Sequence, residues 1–167
     1  VNPNFLMANA AGVAFLGLTY GDVYRTEDDG STWVKCHPSL YNAEAMALGS
    51  DGTLFVAAGW WSGDYTYGIY RSTDNGATAE LVYEGRYQAV TVTPNDHILA
   101  SSYGEMYRST DGGDSWARVG SADSAVNQFA VETVSRAAPA RLFGATYTAV
   151  VVSVDEGANW ETITPDG

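Results

Sequence analysis

The sequence predicts an all-β fold made of four tandem, four-stranded antiparallel blades. Three observations predict it: a hairpin segment centred on Asp-x-Gly recurs four times, two short apolar strands precede each copy, and no stretch shows the 3.6-residue periodicity of an amphipathic helix. The whole chain of 167 residues, from 1 to 167, reads as one repeat domain with no linker, its blades covering approximately 4–38, 43–83, 87–119 and 126–165.

The hairpin comes first because it carries the register. Tyr24-Arg25-Thr26-Glu27-Asp28-Asp29-Gly30-Ser31-Thr32-Trp33 recurs as Tyr70-Arg71-Ser72-Thr73-Asp74-Asn75-Gly76-Ala77-Thr78 and as Tyr107-Arg108-Ser109-Thr110-Asp111-Gly112-Gly113-Asp114-Ser115-Trp116. A more divergent fourth copy is Ser153-Val154-Asp155-Glu156-Gly157-Ala158-Asn159-Trp160. Successive aspartates lie 46, 37 and 44 residues apart, the spacing of four-stranded propeller blades. In each copy the Asp carboxylate can accept backbone N–H bonds, and the Gly two positions on can take the positive φ of a tight turn. The Ser or Thr before the Asp can tie the two arms together, and the Trp starts the outgoing strand. Asp28, Gly30, Trp33, Asp74, Gly76, Asp111, Gly113, Trp116, Asp155, Gly157 and Trp160 are therefore expected to be structural.

Upstream of each hairpin lies a strand ending in an aromatic: Phe15 to Tyr20, Leu54 to Trp60, Ile98 to Tyr103, and Leu142 to Tyr147. Before these come Phe5-Leu6-Met7-Ala8, Ala45-Met46-Ala47-Leu48, Ala89-Val90-Thr91-Val92 and Phe129-Ala130-Val131-Glu132. Turn signals such as Ser50-Asp51-Gly52 and Pro94-Asn95-Asp96 separate the two strands in the second and third blades. Each unit is thus four strands, A to D, with the Asp-x-Gly hairpin between C and D, in a β-propeller-type array.

These hairpins resemble the Asp-box, or BNR repeat, of the sialidase-like β-propeller superfamily. That superfamily includes sialidases, sortilin-type receptor ectodomains, xyloglucan-cleaving glycosidases and a photosystem II assembly factor. The resemblance spans about Asn4 to Pro165 and implies a propeller whose box aspartates are structural. The second copy departs from it with Ala79 where Trp is usual, and the fourth has Asn159 for Ser/Thr and lacks the Tyr-Arg lead-in. Most such propellers have six or more blades, so four blades imply either a partial array that pairs with another copy or chain, which the uncovered faces of an opened propeller favour, or a small propeller or stacked arc standing alone. A start at Val1 rather than Met implies a chain processed, trimmed or excised from something longer.

Composition excludes several classes. Acids outnumber bases 20 to 8, a net charge of -12, and such a surface repels phosphate backbones and anionic lipids, so nucleic-acid binding is not expected. No apolar run approaches the roughly 18 residues of a membrane helix, so membrane insertion is not expected either. The single Cys36 excludes an internal disulfide or a CxxC site and reads as a small buried hydrophobe. His37 and His97 lack metal-ligand spacing, so no metal and no cofactor is expected. Low charge density with abundant Gly, Tyr and Trp suits an extracellular, periplasmic, or virion or cell-surface protein.

Strand alternation puts the A–B and C–D connections at one end of a blade and the B–C and D–A connections at the other. The hairpin aspartates therefore sit away from the end where ligand-binding side chains collect. There the second blade carries the only B–C insertion, Gly59 to Gly68, with Trp60, Trp61, Asp64, Tyr65 and Tyr67; the D–A link adds Arg86 and Tyr87. Aromatic rings beside Asp and Arg suit a glycan, by stacking on a sugar face, or a protein or self-association interface. The aromatic that closes strand B in every blade also has the look of a repeat-packing residue.

An enzyme reading requires two opposed carboxyls, for which Glu44 and Glu84 are the candidates, although no spacing singles them out. A sialidase would need an arginine triad where only Arg86 is at hand, while Arg25, Arg71 and Arg108 belong to the repeat. The expected function is a non-catalytic extracellular or particle-surface binding and assembly module. The alternatives are a glycoside hydrolase fragment acting on a polysaccharide, and a structural subunit of a filament or virion surface.

Overall fold

A computed structural model describes residues 3–58, 66–132 and 140–163. The all-β fold with four antiparallel four-stranded sheets is as expected. The first blade comprises β1 (Pro3–Ala8), β2 (Ala14–Leu18), β3 (Val23–Thr26) and β4 (Val34–Lys35). The second has β5 (Ala45–Leu48), β6 (Leu54–Ala58), β7 (Gly68–Ser72) and β8 (Glu80–Glu84). The third has β9 (Ala89–Val92), β10 (Ile98–Ser102), β11 (Glu105–Ser109) and β12 (Ala117–Ser121); the fourth has β13 (Gln128–Val131), β14 (Leu142–Ala145), β15 (Val150–Ser153) and β16 (Glu161–Ile163). In every sheet the strands pair in chain order, which is the meander of a propeller blade. The chain divides into two compact units of two blades each, residues 1–86 and 87–167.

The inner strands are apolar and the outer ones are wet. Every residue of β6 is buried, whereas β4 and β16 are wholly exposed. In the first unit, Phe15, Val23, Leu54 and Val56 form a core with Cys36, Leu40, Met46 and Tyr70. Each such side chain contributes roughly 1.5–3 kcal/mol by leaving water. The second unit gathers Met106, Val126 and Val151, with Phe129 and Trp160 packed against them. Outer strands carry charge instead, as in the cross-strand pair Arg71–Glu80 (3.0 Å) and in Arg118–Glu105. Such exposed pairs stabilise little but keep edges soluble.

The sequence pattern does not reveal three details. One 3-10 turn, Pro38–Leu40, follows the first blade, started by Pro38 and by the His37 ring, whose Nδ1 accepts from the Ser39 N–H at 3.3 Å. The C–D pairing slips by one residue at Ile69/Tyr70 in the second blade and at Met106/Tyr107 in the third. Gly120, on β12, lets the Ala158 carbonyl of the fourth hairpin approach so closely that any Cβ there would collide with it.

Candidate functional site

The four hairpins share one hydrogen-bond arrangement. The hydroxyls of Thr26, Ser72, Ser109 and Ser153 donate to Asp28, Asp74, Asp111 and Asp155, each at 2.8 Å, and accept from the N–H of Gly30, Gly76, Gly113 and Gly157 at 2.8–3.0 Å. The backbone N–H four residues after each Asp donates to the same carboxylate at 2.8–2.9 Å. A side chain at that position reaches the second oxygen: Thr32, Thr78 and Asn159 at 2.7 Å and Ser115 at 2.5 Å. Asn159 thus does the work of the hydroxyl it replaces. The four glycines have φ of +84°, +80°, +99° and +87°, the left-handed region that glycine enters without a Cβ clash.

This geometry keeps the aspartates ionised. Hydrogen bonds from Thr78 and from Ser115 bring Asp74 and Asp111 down to about 2. Those from Thr32 lower Asp28, and at Asp155 the bonds outweigh an opposing burial effect. A glycosidase acid needs a carboxyl pushed up, so a carboxylate held this way cannot supply the proton.

The opposite blade ends present aromatic rings. Tyr20 closes strand B of the first blade and is 70% exposed; Tyr103 and Tyr147, its counterparts in the third and fourth, are 66% and 84% exposed. Tyr20 and Tyr103 adopt φ of +52° and +49°, a conformation costly for a side chain with a Cβ, and each precedes a glycine. Backbone contacts hold them there: the Tyr41 hydroxyl donates to the Tyr20 carbonyl at 2.7 Å, and the Tyr103 N–H donates to Gln88 Oε1 at 2.8 Å. In the first, third and fourth blades the repeat aromatic is therefore turned to solvent rather than packed between blades.

The other residues singled out by sequence fare differently. Trp60, Trp61, Asp64 and Tyr65 lie outside the described residues. Tyr67 and Arg86 come together, the guanidinium carbon 5.7 Å from the ring centre, a cation–π contact between B–C and D–A connections. Tyr87 is buried, edge-on to Tyr107 at 5.9 Å. Glu44 is half-buried before β5, its N–H bonded to the Ala57 carbonyl, and Glu84 is exposed at the end of β8. Trp116 and Trp160 fold back on their own hairpins, each indole N–H donating to the hairpin Gly carbonyl at 3.0 Å. Among the described residues no three His, Cys, Asp or Glu side chains gather as metal ligands, and no helix is long and apolar enough to cross a membrane.

A cluster at the hairpin end is not among the residues that the sequence singles out as a site. Glu156, between the Asp and Gly of the fourth hairpin, reaches the third blade, where His97 Nδ1 lies at 2.9 Å, Asn95 Nδ2 at 3.2 Å and Arg108 Nη1 at 3.3 Å. Burial pushes the Glu156 carboxyl up, but the bonds from His97 and Asn95 and the nearby charges hold it below its ordinary value. In the first unit the same position, Asn75, takes Asn9 Nδ2 on its side-chain oxygen and Arg25 Nη1 on its carbonyl, both at 3.2 Å. The repeated Arg was the available signal, since strand-C arginines reach the next hairpin in both units.

No protein-family model matches the chain, and no curated protein does either. Solved structures do. The chain is similar to an ancestral GH74 enzyme, with a TM-score of 0.76 at 20% identity over 99% of this chain and 24% of that one. It is similar to YCF48 bound to D1 peptide (0.64, 17%, 96% and 52%) and to the extracellular domain of a one-component system from Bacteroides thetaiotaomicron (0.74, 9%, 99% and 22%). The chain thus spans between about a fifth and a half of these structures, and at such identities the likeness establishes the propeller fold alone.

Proposed function

We propose that the chain is a non-catalytic binding and assembly module of an extracellular or particle surface, built on Asp-box propeller blades, whose tyrosine-bearing B–C ends take a peptide or glycan. The exposed strand-B tyrosines carry this reading. Tyr103 and Tyr147 are repeated, yet both are largely exposed, and Tyr103 sits on positive-φ backbone. Such rings are characteristic anchors in binding surfaces, with Arg86 over Tyr67 a preset counterpart in the first unit. Peptide binding by YCF48 and the extracellular setting of the Bacteroides domain support the class of function. The Trp60–Trp61 loop is a further contact within the proposal.

The glycosidase alternative draws on the GH74 likeness and on Glu44 and Glu84. The recognisable carboxylates of the hairpins, held as anions, do not support it. The test is a glycan and peptide array probed with the wild type, Tyr103→Ala, Tyr147→Ala and the Trp60→Ala/Trp61→Ala pair. Weakened capture of the same ligand with unchanged melting temperature is expected. Identical capture by all variants would remove the tyrosine site, and hydrolysis abolished by Glu44→Gln or Glu84→Gln would install the alternative.

A further inference from the structure

We infer that the groove between β12, the edge strand of the third blade, and the fourth hairpin binds a neutral saccharide, with Trp160 as its stacking surface. Residues 118–121 form one wall and residues 158–160 the other, and both walls belong to the second compact unit. The groove is mainly polar and holds about 510 Å³. Small-ligand sites run from about 300 to 1,000 Å³.

Its parts are held in place before any ligand arrives. The Trp160 indole N–H donates to the Gly157 carbonyl at 3.0 Å, and Phe129 packs on the same ring with centres 6.0 Å apart. At Gly120 the two walls touch, because a Cβ there would strike the Ala158 carbonyl, so the hairpin rests on the β12 backbone itself. Polar atoms with bonding capacity to spare stand beside the ring. Asn159 donates through Nδ2 to Asp155 at 2.7 Å, which leaves its Oδ1 as an acceptor. Arg118 directs Nε and Nη2 to Glu105, which leaves Nη1 as a donor. The exposed Ser121 hydroxyl has no partner among the described residues.

A donor, an acceptor and a hydroxyl around an indole complement a pyranose, which presents hydroxyls at its rim and C–H groups on its face. Charge narrows the choice. No carboxylate lines the groove, so a cation finds no partner there. Glu105 already meets the charge of Arg118, in a chain of net charge -12, so an anion gains little. The first unit shows that the fold does not require a ring at this place. Ala79 stands at the Trp160 position and packs on the core, and the His37 N–H donates to the Gly76 carbonyl at 2.7 Å as the chain passes over that hairpin.

Amide and indole N–H spectra of the 17.8 kDa chain, titrated with millimolar glucose, xylose, N-acetylglucosamine, cellobiose or maltose, test it. At least one sugar should move the Trp160 indole signal and the amides of Gly120, Ser121 and Asn159 together, and saturably. Asn159→Thr keeps the bond to Asp155, as Thr32 and Thr78 do in their hairpins, yet removes the spare amide oxygen. That variant and Ser121→Ala should each weaken binding by about three- to tenfold, and Trp160→Ala by at least about tenfold. No movement with any of these sugars, or affinities indifferent to Asn159→Thr and Ser121→Ala, overturns the site. Movement confined to Tyr103 and Tyr147 overturns it as well, while supporting the tyrosine-bearing ends as the place of binding. An extended peptide that moves the groove signals where no sugar does overturns the saccharide as ligand.

Discussion

The two units lock their paired blades through the same position with different chemistry. In the first, Asn75 is held by an amide and by an arginine on its backbone carbonyl; in the second, Glu156 is held by an amide, an imidazole and a guanidinium. The glycine that follows is buried in both, against Cys36 and Leu40 in one and against Leu99 in the other. Packing is thus the common element, and charge is an addition made once. A repeat needs its hairpin seated on the preceding blade, whereas the polar group that steers the seating can vary.

The largest effect expected on this comparison comes from the shared element. Gly157→Val and Gly76→Val force a β-branched side chain into both positive φ and a filled contact, and each should cost about 3–5 kcal/mol. Gly30→Val meets strain but open space and should cost about 1–2 kcal/mol. Thermal or urea melts of the three variants rank them; equal losses would mean that seating contributes nothing.

Next comes the added charge. Glu156→Gln leaves His97 and Arg108 without their anion and should destabilise by ~1–3 kcal/mol, while Asn75→Ala should cost ~1 kcal/mol or less. Hydrogen exchange resolved by residue places the two losses in residues 87–167 and 1–86, respectively.

Acid discriminates further. Glu156 titrates lower in the folded chain than in the unfolded one, so its contribution is complete above the ordinary carboxylate value of 4.5 and is lost as pH falls through the folded value. The hairpin aspartates follow the same sign in both units, from 3.8 down to about 2 for Asp74 and Asp111. Melting temperature against pH should therefore fall below pH 4.5, and Glu156→Gln should flatten the upper part of that fall. An unchanged profile in the variant would remove Glu156 from the lock.

The smallest expected effect is at Cys36. Burial, partly opposed by Arg25, raises its thiol to about 11. Alkylation at pH 8 should proceed only as fast as the first unit opens, and Asn75→Ala should speed it modestly.

The hairpins were open to reading because every bond in them spans two to four residues, so an Asp, a Gly and a hydroxyl at set spacing suffice to specify the turn. Strand order and blade size followed from the same repeat. Trp60, Trp61, Asp64 and Tyr65 stood out for their chemistry and remain part of the proposal. Tyr87, of the same chemical type, is buried against Tyr107, a contact across 20 residues that ring counting does not foretell. The strand-B tyrosines look like repeat packing in the sequence, and their exposure emerges only when backbone φ and neighbouring strands are in place.

Local chemistry along the chain thus determines the fold class, the four turns and the division into blades, since a period near 40 residues leaves each unit only its own sheet to form. Which side chains meet across blades is settled by tertiary packing. His97 and Glu156 are 59 residues apart, and their distance depends on how one twisted sheet seats on another, a geometry no short window of sequence contains.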